Sequence, residues 1–170
     1  MIYMVEMDFR DPAREHDWHT WYIGHVTQLI RSVPGFRATQ RFRAITPTPS
    51  PWLAMHEVEG PHVFESAEYK ANGGPVSTGE WKDRHSNWYR NLFDGCDVIP
   101  AVPLDAHLLL AEGAAKLPAD LLQISLKGVG LDKTSERRTM AVVPDGRLTA
   151  RMFDLKGVRV FRPITSQVRG

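Results

Sequence analysis

Apolar and polar positions recur in short stretches that Pro and Gly interrupt at Pro34-Gly35, 47–51, Gly60-Pro61, Gly73-Gly74-Pro75, 100–103 and 128–130, so the chain reads as many short elements. Residues 2–8, IYMVEMD, are rich in strand formers and partly alternate, which predicts a first strand. Asp11-Pro12 predicts a helix start, with Asp11 as N-cap and Pro12 at the first helical position. To about Ser32, Trp18, Tyr22, His25 and Leu29 return at the i, i+4, i+7, i+11 spacing of one helix face, and Trp21 flanks that face beside His25. Pro34-Gly35 ends the helix. Residues 36–45 and 52–59 then read as two strands joined by a Pro-rich loop, a long-looped hairpin. Helical patterns follow at 61–70 and 80–93, the second with Trp81, His85, Trp88 and Leu92 on one face, and 97–103 reads as a fourth strand. The order over residues 1–104 is βαββαβ.

Residues 105–170 repeat that order in reduced form: strand 106–112, a short helix at 114–121, strands 122–128 and 137–144, a short helix at 146–155 and a last strand at 157–162. Two modules, 1–104 and 105–170, with the second packing on the first, are therefore expected in an α+β fold. The halves share an element order and little residue identity.

Composition narrows the function classes. The 170 residues are 42% hydrophobic and 24% charged, with 21 Lys+Arg against 20 Asp+Glu, an ordinary globular balance. No basic run provides an electrostatic footprint for nucleic acid or an anionic membrane, so neither is an expected partner. A single cysteine, Cys96, rules out an internal disulfide. The opening MIYMVEMDFRDP lacks the basic and apolar regions of a secretory signal, and no apolar run approaches the roughly 18 residues of a membrane span. A cytoplasmic location is expected.

The residues able to do chemistry crowd into the first part of the chain. All five Trp, four Tyr and seven His lie at or before His107, which places any site mainly in the first hundred residues. His25 shares a helix face with Trp18 and Tyr22. An imidazole there is either a general base near neutral pH or a core histidine satisfied by a fixed partner. Tyr22, three residues earlier, is placed to polarise a carbonyl or to fix the His25 tautomer. His85 accompanies Trp81, Trp88 and Tyr89, a stripe that suits a flat apolar slot or plain core packing. His56 shares a strand face with Ala54 and Val58, and converges on His25 if that face looks toward the helices. The catalytic candidates are thus His25, Tyr22, His56 and His85, with Trp18, Trp21, Trp88 and Tyr3 as candidate substrate-binding residues. His16 and His19 are expected to face solvent.

Other chemistries lack their signatures. His25, His56 and His85 with Glu57 or Asp83 are metal-ligand types, but no HExxH, HxH or CxxC spacing joins them, and no metal site is expected. There is no GxSxG elbow, Cys96 has no activating neighbour, and Gly73, Gly74 and Gly79 form neither GxGxxG nor a P-loop. No cofactor is expected. Lys133 to Arg138 reads as a polar, solvated connector.

Residues 15–36, EHDWHTWYIGHVTQLIRSVPGF, resemble the helix signature of the EthD-like branch of the dimeric α/β-barrel superfamily, through Trp18, Trp21, Tyr22, His25, Pro34, Gly35 and Phe36. Residues 52–59 and 65–69 extend the resemblance over roughly the first hundred positions. It implies a ferredoxin-like βαββαβ unit whose sheet joins a second sheet, within the chain or across a homodimer, to close a barrel. Members with chemistry often act without a cofactor on small aromatic or polyketide-like compounds, with His and Tyr handling protons. The sequence departs from the family at His56, where many relatives carry an aromatic residue, and in its Gly-rich insert at 72–79. The expected function is cofactor-independent acid–base catalysis, of isomerase, cyclase or decarboxylase type, on a small cyclic or aromatic metabolite. The alternatives are a non-catalytic binder using the same cleft and a haem- or metal-binding redox protein.

Overall fold

The computed structural model describes the backbone of all 170 residues and every side chain except those of Pro75 and Val76. Eight strands form its frame: β1 (Ile2–Phe9), β2 (Phe36–Ala44), β3 (Trp52–Val58), β4 (His85–Asp94), β5 (Ala106–Glu112), β6 (Ile124–Leu131), β7 (Arg137–Pro144) and β8 (Val158–Pro163). They are hydrogen-bonded in the order β3-β1-β4-β6-β7-β5-β8-β2, and β2 returns to β3, so the barrel closes within one chain. Every pairing is antiparallel. Closure removes the free edges that an open sheet presents. The first four strands lie in the order β4-β1-β3-β2 and the last four in the order β8-β5-β7-β6. A two-residue β9 (Val168–Arg169) adds to β2 at Ala38 and Thr39.

Alternation assigns each strand two jobs. In β1, Ile2, Met4 and Glu6 point into the barrel, while Tyr3, Val5, Met7 and Phe9 face outward under a helix, so nearly the whole strand is buried from both sides. That covering helix is α1 (Glu15–Ser32), which buries Trp18, Tyr22, Val26 and Leu29 against the outer face of β1 and β3. Each such side chain contributes on the order of 1.5–3 kcal/mol by leaving water. On the opposite side of the barrel, Leu109, Ala141, Val143 and Val160 form a separate core under the four-residue α3 (Ala150–Phe153) and the loop bearing Leu117 and Leu121. No helix is long and apolar enough to cross a membrane among the described residues.

Several expectations fail for identifiable reasons. The helix expected at 80–93 is absent: residues Pro75–Arg84 form 3-10 turns and His85–Asp94 are strand β4. The 3-10 turns Pro61–Glu65 and a short α2 (Ala67–Asn72) replace the helix at 61–70. β4 mimics a helix because it is bulged. Glu6 pairs with Tyr89 but Asp8 with Ser86, three steps against two, and Asn87 takes up the extra residue at φ 45°. The bulge brings His85 onto the face of Trp88, and a spacing of four, as between Trp88 and Leu92, satisfies a strand as well as a helix. Residues 97–103 are not a strand; Ile99 and Val102 instead enter the barrel core. No helix forms at 114–121, and the strand expected at 122–128 is β6, two to three residues later. Asp11 does not cap through its side chain but pairs with Arg84, and α1 begins at Glu15.

Ion pairs close the two mouths of the barrel. At one, Arg138 and Arg159 each bridge Glu6 and Glu112, with Arg138 Nε 2.9 Å from Glu112, and both Arg138 and Glu6 are buried. Burial pushes the Glu112 carboxyl up, but the two guanidinium groups outweigh it and hold it below its ordinary value. Arg138 is therefore part of the interior and not of a solvated connector. At the other mouth, Gln40 accepts from Val102 N at 3.0 Å, while buried Glu57 pairs with Arg169 at 2.8 Å and accepts from Ile99 N at 3.1 Å.

Candidate functional site

A crevice lies between α1 and the outer face of β1, β3 and β4. Counting solvent at its mouth it measures about 420 Å³, of which about 30 Å³ is inner cavity, room for one or two waters. Tyr3, Trp21, Tyr22, His25, His56, His85 and Trp88, seven of the eight residues singled out from sequence, line it. Trp18 does not. It is fully buried behind the wall and donates Nε1–H to His85 Nε2 at 2.9 Å. Tyr69, on α2, and Thr78 were not singled out and also line the crevice. Nothing in the spacing of either residue marks it, because the turns around α2 bring them in. Larger hollows, about 1020 Å³ at the Glu6–Arg159 mouth and about 910 Å³ beside Arg147 and Met152 when solvent at the mouth is again counted, gather no comparable set of imidazoles.

Local geometry fixes each lining residue. Tyr3, His56 and Thr39 form a row across β1, β3 and β2, because Tyr3 opposes His56 and His56 opposes Thr39 in register. His56 Nδ1 lies 2.9 Å from Thr39 Oγ1, and the Tyr3 ring is 5.2 Å from the imidazole. The Tyr3 and Tyr69 hydroxyls are 3.2 Å apart. On α1, Val26 belongs to the buried line while His25 sits on its flank, stacked on Trp21 at 5.2 Å with the ring planes 3° apart. His25 has no hydrogen-bond partner among the described residues.

The site is apolar, cationic at its base and free of carboxylates. Burial holds His25 and His85 near pKa 4, with Arg41 adding to the effect at His85, and holds His56 near 3 with help from His25 and Arg41. All three imidazoles are therefore neutral at pH 7. Burial pushes the Tyr22 hydroxyl up to about 12, so it keeps its proton. Arg41, 2% exposed, reaches no carboxylate among the described residues. Its guanidinium lies 4.0 Å from the Tyr22 ring, 5.0 Å from Trp18 and 3.1 Å from His19 Nδ1. His19 thus turns inward, against the expectation of solvent exposure, and packs on Trp52 at 4.5 Å; burial and Arg41 hold it near pKa 4. No three His, Cys, Asp or Glu side chains lie close enough to hold a metal ion among the described residues.

These histidines make stability depend on pH. Between about pH 6.5 and 4 the unfolded chain takes up protons that folded His19, His25, His56 and His85 refuse, so stability falls as the pH falls through that window. Melting curves at pH 7, 6, 5 and 4.5 are expected to show a progressive drop, made shallower by His56→Gln. A flat profile contradicts the burial assigned to these rings.

The closed barrel with one long helix packed over four of its strands is an α/β-barrel architecture. It is similar to a crystal structure described as an anthrone oxidase-like protein, with a TM-score of 0.55 at 9% identity over 99% of this chain and 92% of that one. At that identity the likeness is one of fold. It shows the barrel fold and does not single out the EthD-like branch. The sequence matches no protein-family model and no curated protein.

Proposed function

We propose that the crevice, widening beyond the room for one or two waters that it has at rest, binds a small cyclic or aromatic ketone or phenol and moves a proton on it without a cofactor, with His25 as the base. The observation that carries this reading is the state of His25: a neutral imidazole bordering the cavity, unpartnered among the described residues, in a lining that holds no carboxylate. A neutral ring nitrogen accepts the proton of a C–H conjugated to a carbonyl, and the C–H electron pair passes through the conjugated system onto the carbonyl oxygen as an enolate. Return of the proton to another carbon completes an isomerisation, and no oxidant is consumed. In this reading Tyr22, protonated at neutral pH, and His85 donate to the oxygen, and His56, hydrogen-bonded to Thr39, is a second proton handler.

We also read the chain as two ferredoxin-like modules, an EthD-like one at 1–104 and a reduced copy at 105–170. The matching strand orders of the two halves support this division, with the loop bearing Leu117 and Leu121 standing where α1 stands in the first half and the short α3 where α2 stands. The second half lacks a counterpart of the long α1, which explains why the site is built on the first module.

The fold neighbour's description suggests anthrone as a probe, because loss of a proton from its methylene carbon places charge on the carbonyl oxygen. Exchange of that methylene in deuterated water, followed by NMR, is expected to accelerate with the wild-type protein and not with His25→Gln. Anthrone that binds and is released with no accelerated exchange supports a binding protein instead and overturns the catalytic reading.

A further inference from the structure

Two hydrogen-bond donors on residues that line the crevice lack acceptors among the described residues. The Trp18 indole N–H is only a donor, so His85 Nε2, 2.9 Å away, accepts, and the neutral ring must carry its proton on Nδ1. That Nδ1 is buried without a partner among the described residues, and so is Trp88 Nε1, which also can only donate. The two rings lie 5.7 Å apart and both line the crevice. Their side-by-side placement follows from the Asn87 bulge, which the 45–51 loop grips: Ser50 donates to Asn87 O at 2.7 Å and Asn87 donates to Pro49 O at 2.9 Å. Buried donors without acceptors are uncommon because each loses its water for nothing. Here two belong to residues that line one cavity.

Charge in the surroundings has one sign. The polar groups lining the crevice are Trp21, Tyr22 and His25 from α1, Tyr3 from β1, His56 from β3, His85 and Trp88 from β4, Tyr69 from α2, and Thr78; none is an acid. The Tyr3 and Tyr69 hydroxyls engage each other. Arg41 stands beneath Tyr22 and Trp18 with no carboxylate partner among the described residues, near enough for its charge to act on His85 and His56.

We propose that the crevice takes its ligand as an oxyanion, a phenolate or enolate whose oxygen is clasped between His85 Nδ1–H and Trp88 Nε1–H, with the Arg41 guanidinium supplying the countercharge. This rests on the reading of the crevice as the ligand site, and it names the atoms that select the ligand. Hydrogen bonds to an ionised oxygen are roughly twice as strong as neutral ones, so the clasp discriminates by charge as well as by shape. It selects planar compounds with one acidic oxygen at the edge of the ring and rejects their ethers.

The probes are para-nitrophenol and its methyl ether, para-nitroanisole, which share a ring and differ in the ability to ionise. Absorbance reports the ionisation of bound nitrophenol directly. Nitrophenolate is expected to bind at least about tenfold more tightly than nitroanisole, and binding to lower the apparent pKa of nitrophenol by about one unit, the same tenfold preference. Trp88→Phe, which keeps a flat ring and removes the donor, is expected to weaken phenolate binding about tenfold more than nitroanisole binding. Equal binding of the two probes by the wild type, a comparison that needs no variant, overturns the clasp, as does an unaltered phenolate affinity in folded Trp88→Phe. Phenolate preference without anthrone exchange keeps the clasp and removes the catalytic reading; exchange without phenolate preference does the reverse. If neither nitro compound binds, the clasp falls, and if anthrone exchange is not accelerated either, the catalytic reading falls with it.

Discussion

Replacing His25 by Gln or Ala is expected to lower turnover by roughly 10²–10⁴, the range for loss of a positioned general base, while leaving the melting temperature close to that of the wild type. The separation of the two effects follows from its position on the flank of α1. His25 has no hydrogen-bond partner among the described residues whose loss would orphan a buried group, and its main contact is a stack on half-buried Trp21. His56 supplies the contrast. Its ring is 1% exposed and its Nδ1 lies 2.9 Å from buried Thr39 Oγ1, so His56→Ala leaves that hydroxyl unmatched and is expected to cost about 1–3 kcal/mol. Steady-state kinetics with anthrone and thermal melts on the same preparations measure both. A His25→Ala protein that is destabilised yet turns over normally sinks the assignment.

The sequence made the site more legible than the fold around it. On α1, 3.6-residue periodicity is strong enough to place Trp21, Tyr22 and His25 together, and the extended run of β3 puts His56 on the face beneath them. His85 and Trp88 reached the right neighbourhood through the wrong element. Their spacing of three reads as helical, and the bulge that puts them on one face of a strand depends on Asn87 accepting a positive φ, which no periodicity announces. Arg138 and Arg169 were unreadable for another reason. A charged residue near a turn normally faces water, and only closure of the barrel across strands far apart in sequence brings Glu6, Glu112 and Arg159 around Arg138 and sets Glu57 against Arg169. Arg41 escaped notice in the same way, because a lone Arg between Gln40 and Phe42 carries no sign that α1 will cover it.

Arg138→Met is expected to be the most damaging substitution outside the crevice, at about 3–5 kcal/mol, or roughly 6–20 °C in melting temperature for a chain of this size. Arg138 and Arg159 balance Glu6 and Glu112 inside the barrel mouth, and removing one guanidinium leaves a surplus buried carboxylate. Methionine fills much of the volume, so the loss reports charge more than cavity. Two further measurements separate this from simple packing. Adding Glu6→Gln to Arg138→Met restores one carboxylate to one guanidinium and is expected to bring stability back toward the wild type. Lowering the pH acts in the same direction. In the wild type, Glu112 is held below its ordinary value, so its stabilisation is present above about pH 4.5 and is lost as the pH falls through the carboxylate range. In the variant the surplus carboxylate gains from protonation in the folded state, so its deficit shrinks over the same range and the two stability curves converge. A deficit that stays constant with pH, or a double variant no better than the single one, would mean that the methionine side chain fits badly and that the ion pairs contribute little.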